Sequence, residues 1–159
     1  MLRVSGIGLL CFALAGVVAL EAHTQSGQKP KPPAPAAPAV GGDVTITVSY
    51  TGKGVVDDAT NIIVFLFDHP NPGAGSRALG IQPVTKNGGV ATFKGITASP
   101  VYVVAVYDEK NNYDGTMGPP PPGTPWAVYG VTAKTPARAV VPGPKGKITF
   151  RFDGSNRWK

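Results

Sequence analysis

Few residues of this 159-residue chain have side chains that could carry out a reaction, and their spacing decides what each can do. His69 is the only histidine after position 23 and lies between Asp68 and Pro70. A Ser, Thr or Cys nucleophile needs a base held beside it, and a lone histidine before a proline reads as a turn residue. Cys11 is the only cysteine and sits inside an N-terminal apolar run. The chain beyond that run therefore has no thiolate, disulfide or Cys-ligated metal. Asp108 and Glu109 are adjacent and would point apart on a strand, whereas a hydrolytic carboxylate pair must face one substrate. The inventory argues for a protein that is not an enzyme.

Two constellations remain, and both are binding chemistry. Asp108, Asn112 and Asp114 fall at i, i+4 and i+6 before Gly115, an alternation of oxygen ligands similar to a calcium loop. Lys110 stands in the intervening ligand position and no bidentate Glu follows. The competing reading is an Asx-type loop whose side chains bond their own backbone. Tyr113, Trp126 and Trp158 are aromatics in or beside loops, the residue types that stack on sugar faces if they lie exposed on one surface. Gly118–Pro125, read GPPPPGTP, is a stiff stretch expected to pack as a rigid loop near Trp126 and Tyr129. Gly73-Ala74-Gly75-Ser76 opens no helix and so lacks the context of a phosphate loop.

The segments that must position these residues begin with a targeting signal. Residues 1–22 carry Arg3, an apolar run from Val4 to Leu20, and small residues at Ala19 and Ala22, the layout of a secretory signal peptide cleaved after Ala19 or Ala22. As a helix, Gly6 to Leu20 would rise roughly 22 Å, short of the roughly 30 Å hydrocarbon core, so no transmembrane span is expected after cleavage. Residues 23–42 are rich in proline and alanine, with prolines at 30, 32, 33, 35 and 38, and read as a disordered, partly polyproline II tether. Residues 43–159 are the size of one domain. The net charge of +6 is spread without basic runs, which excludes a nucleic-acid footprint and leaves weak attraction to anionic surfaces.

Within 43–159 the dominant period is two. Val44, Ile46, Val48 and Tyr50 alternate with Thr45, Thr47, Ser49 and Thr51, a strand with one buried face. Residues 61–68 (NIIVFLFD) and 101–108 (VYVVAVYD) are apolar on both faces, so something must cover the second face, either another sheet or a partner. Residues 79–85 and 90–94 flank Asn87-Gly88-Gly89 and read as a hairpin, with Pro83 placing the first at a sheet edge. Residues 126–133 and 147–153 complete seven short strands, a Greek-key β-sandwich of all-β class. The expected core is Ile46, Val48, Ile63, Phe65, Phe67, Phe93, Val104, Val106, Ile148, Phe150 and Phe152. If successive strands reverse, loops 52–60, 86–89 and 108–125 share one end and make it acidic.

The run Phe93-Lys94-Gly95-Ile96, through Ser99-Pro100 into 101–108, followed by 108–115 (DEKNNYDG), resembles transthyretin-like, carboxypeptidase-regulatory-like sandwiches and the small exported bacterial domains that share their core. Ser99-Pro100 replaces the commoner Pro-Gly, and Lys110 interrupts an acid-and-amide loop. The resemblance implies an immunoglobulin/transthyretin-like sandwich. The ureide hydrolases of that group use several histidines and a Tyr-Arg-Gly-Ser ending, neither of which appears in this chain. The expectation is a secreted or periplasmic binding or structural module that meets an envelope or extracellular protein. The alternative is a carbohydrate-binding module that takes a glycan, with calcium as its one conceivable cofactor.

Overall fold

A computed structural model of the chain describes residues 41–72, 76–116 and 118–159. The expected signal peptide and tether, residues 1–40, lie outside the described residues. The described residues are all-β, without a helix: β1 Gly42–Tyr50, β2 Ile62–Phe67, β3 Gly80–Val84, β4 Val90–Ile96, β5 Tyr102–Tyr107, β6 Trp126–Val128 and β7 Lys147–Phe152. They form a three-stranded sheet in the order β4-β1-β7 and a four-stranded sheet in the order β3-β2-β5-β6, packed on each other.

Alternation in β1 is as the sequence dictates: Val44, Ile46, Val48 and Tyr50 are buried and the residues between them face outward. β1 runs antiparallel to β4 and parallel to β7, so β7, the last strand in the chain, lies beside the first. Across the sandwich, Ile62, Val64 and Leu66 of β2 and Val103, Ala105 and Tyr107 of β5 meet β1, Phe93, Phe150 and Phe152 in one cluster. Tyr50 and Tyr107 stack with ring centroids 4.1 Å apart, and Phe152 lies 5.2 Å from Tyr50.

Two expectations change here. The runs around Asn87-Gly88-Gly89 do not pair with each other: β3 pairs with β2 and β4 with β1. The turn instead crosses between sheets. The Asn87 amide side chain accepts from the Tyr50 amide and donates to its carbonyl, while Gly88 and Gly89 exchange backbone bonds with Val48. That capture by β1 outweighs the local turn preference. The second change concerns the core. Ile63, Phe65, Phe67, Val104 and Val106 are buried, but they form a separate cluster on the outer face of the four-stranded sheet. Period two places their neighbours Ile62, Val64 and Leu66 between the sheets, and those are fully buried. β3 is an edge strand, as Pro83 requires.

Candidate functional site

The apolar outer face of the four-stranded sheet is the floor of a groove of about 560 Å³. Phe65 and Phe67 of β2, Val104 and Val106 of β5, and Ile81 of the β3 edge make that floor. Two connections fold over it. The β2–β3 loop contributes Pro72, Ser76, Arg77 and Ala78, and the long β5–β6 connection contributes Tyr113, Thr116, Gly118, Pro119 and Pro120. Trp126 at the start of β6 and Trp158 near the C-terminus close one side, their rings meeting edge to face with centroids 5.1 Å apart.

Gly115 explains how the β5–β6 connection comes so close to the sheet. Its φ is +83°, which favours glycine, and a Cβ there would lie 2.8 Å from the Phe65 ring and 3.0 Å from Ile81. The backbone therefore rests directly on the aromatic floor. Beside it, Tyr113 packs on Phe65 with centroids 6.2 Å apart and donates its hydroxyl to the Gly118 carbonyl at 2.9 Å. Burial pushes the Tyr113 phenol up to about 12, and the Asp114 charge adds to the rise.

Asp108 anchors the same connection from below. It is buried, with Oδ1 accepting from the Asn112 amide at 3.2 Å and the Lys110 amide at 3.4 Å, and Oδ2 accepting from the Tyr113 amide at 3.0 Å. Asp114 is exposed, and its Oδ1 accepts from the amide and hydroxyl of Thr116, both at 2.8 Å, which holds its carboxyl below the usual range. Asn112 is exposed. The three residues read from sequence as calcium ligands thus bond their own loop wherever an acceptor bond is seen. Among the described residues no group of three or more His, Cys, Asp or Glu is placed to hold a metal.

The C-terminal segment supplies the Trp158 wall by pairing with the chain before β6. Trp158 donates to the Thr124 carbonyl and accepts from the Gly123 amide, and Trp126 donates to Asn156. Arg157 fixes this strap: its guanidinium meets Glu109 at 2.9 Å and the Gly123 carbonyl at 2.8 Å. The end of the sandwich carrying the loops after β1 and β5 is joined by the Tyr107 hydroxyl donating to Val55 and the Asp108 amide donating to Asn61. At that end Arg157 meets Glu109 and Asp108 is internal, while Asp57 and Asp58 in the loop after β1 are exposed.

No protein-family model, curated protein or solved structure matches the chain.

The chemistry of the site therefore rests on the groove alone. It brings Tyr113, Trp126 and Trp158 to one surface, while His69 sits outside its lining, its ring 6.1 Å from that of Phe67. Among the described residues, Arg77 is the only charged side chain in the lining. Phe65, Phe67, Ile81, Arg77 and Gly115 belong to the site without having been singled out for it from the sequence. The signal that could have found the floor is the doubly apolar run 61–68. Among the described residues no helix is long and apolar enough to cross a membrane.

Proposed function

We propose that the chain is an exported, non-catalytic binding module of the periplasm or cell exterior. Its domain is a seven-stranded Greek-key sandwich of the immunoglobulin/transthyretin type, carried on a proline-rich tether, and it mediates protein interaction or assembly. What carries this reading is the groove: a sheet face already buried on its inner side keeps a second apolar face, and two loops and a strap surround that face without filling it. Concave, largely apolar sites with few polar groups are where proteins take ligands. The parallel pairing of β7 with β1 supports the Greek-key reading, because it requires a connection that crosses between sheets.

The experiment is a cross-linked pull-down from envelope extract with three forms of the protein. A partner retained by wild type and by Val90→Asp on the opposite face, but lost with Ile81→Asp in the groove, supports the reading. Partners indifferent to Ile81→Asp count against it. Turnover of an ester, peptide or glycoside panel that disappears with His69→Ala would contradict the non-catalytic part.

A glycan is the second reading, favoured by the gathering of Tyr113, Trp126 and Trp158 at one groove. The edge-to-face angle of 69° between the tryptophans, however, does not make one flat platform. A calcium-assisted form would ask Asp108 to give up amide bonds. A glycan array with no signal removes this reading.

A further inference from the structure

The groove is amphipathic in a particular way. Its floor is aromatic and aliphatic, and among the described residues no carboxylate lines it and its one charge is the guanidinium of Arg77. Arg77 is exposed at the rim, next to Ala78, which packs against the apolar cluster. The one ion pair among the described residues is Arg157 with Glu109, so the Arg77 guanidinium is not committed to a carboxylate. Two acids adjoin lining residues in the chain without lining the groove themselves: Asp68, exposed after Phe67, and Asp114, which is held by the amide and hydroxyl of Thr116. A planar guanidinium presents paired donors that match a carboxylate, and apolar walls beside it strengthen the attraction.

We propose that the groove takes an extended segment of a protein partner in which apolar side chains flank an acidic residue, the carboxylate seating on Arg77. This rests on the groove being the binding site, and it adds what the partner must look like. The rim at Arg77, Thr116, Gly118 and Pro119 is exposed, so the site is an open trough on a sheet face. A free alkyl acid needs enclosure on most of its surface, whereas a peptide lays alternate side chains into such a trough and leaves the others in water. The overall charge of +6 steers an acidic partner toward the molecule.

Both tryptophans of the chain line the groove, so intrinsic fluorescence reports its occupancy. The probes are three tryptophan-free, end-blocked peptides, Ser-Leu-Phe-Glu-Leu-Ser and the same sequence with Gln or Lys in place of Glu, together with decanoate. The Glu peptide should change the tryptophan signal, and the Gln peptide should bind about tenfold more weakly, as loss of one charge-assisted hydrogen-bonded pair implies. Arg77→Gln should abolish that preference and Arg77→Glu should transfer it to the Lys peptide, with the melting temperature unchanged because the side chain is exposed. Equal binding of the three peptides, or a Glu preference that survives Arg77→Gln, overturns the acidic partner while leaving the groove in place. Decanoate binding where the Glu peptide does not overturns the peptide. Silence from all four probes, with Ile81→Asp equally silent, overturns the groove itself.

Discussion

The two sheets have opposite outer faces. On the three-stranded sheet, Thr92, Thr45 and Lys147 lie in one rank across the strands and Val90, Thr47 and Thr149 in the next. The edge-strand members of these ranks are exposed and the β1 members partly so. On the four-stranded sheet, Phe65, Val104, Phe67 and Val106 occupy the equivalent outward positions and are nearly buried. The inner faces differ little, since both feed one aliphatic and aromatic core. A sandwich needs only the inner faces to fold. The second apolar face therefore needs another cause, and its cover of two loops and a C-terminal strap is shaped as a site. The Thr, Ser and Lys side chains on β1 and its neighbours, exposed or partly exposed, show what a polar outer face looks like.

The contrast can be broken first on β2, the strand that serves both faces. Leu66 is fully buried toward the core and Phe65 beside it faces the groove. Leu66→Ala should cost about 2–5 kcal/mol in urea denaturation and leave groove binding intact below the transition. Phe65→Ala should destabilise and also abolish binding. If Phe65→Ala binds normally, the groove is mislocated.

Next in size is the anchor of the loop that roofs the groove. Asp108→Ala should cost about 1–3 kcal/mol, because the amides of Asn112 and Tyr113 lose a partly buried acceptor. Asp108→Asn should recover part of it. An unchanged midpoint in both variants would mean that the loop holds without its carboxylate.

Smaller still is the response to alkali. The Tyr113 phenol is pushed from its ordinary value near 10 up to about 12, chiefly by burial. The folded state keeps its proton where the unfolded state releases it, so this contribution is complete below pH 10 and is lost as pH rises to about 12. Tyr113→Phe should flatten the fall in stability between those values and remove one late-titrating phenol from the ultraviolet spectrum. A fall of unchanged steepness contradicts the burial of that ring. The smallest effect belongs to the wet face: Thr149→Ala should stay within about 0.5 kcal/mol, and a larger loss would show that this face has a hidden contact.

Much of this is legible in the sequence. Alternation in β1 and in 147–152 decides which side is wet, and Pro83 decides that β3 is an edge, because both follow from local chemistry. The doubly apolar runs announced a covered second face but not which of their two faces it was. Phe65 and Leu66 are both large and apolar, and only pairing of the sheets separates them. The Asn87-Gly88-Gly89 turn misled for a related reason: its side chain is satisfied by Tyr50, 37 residues away, which no local window contains. The spacing of Asp108, Asn112 and Asp114 fits a calcium loop and an Asx-type loop alike, because both need oxygens turned inward, and spacing alone does not separate them; in the structure Asp108 accepts from the amides of its own loop. Tyr113, Trp126 and Trp158 were legible as residue types, but only packing could bring position 158 beside position 126.

The apolar face of the four-stranded sheet must be accessible to a ligand, and titration of an anilinonaphthalene sulfonate dye is the direct test. The folded protein should bind one dye with enhanced emission and quenching of its two tryptophans. Ile81→Asp should abolish both signals, while Val90→Asp on the opposite face should leave both unchanged. Dye binding that survives Ile81→Asp, or that is lost only with Val90→Asp, would contradict the account.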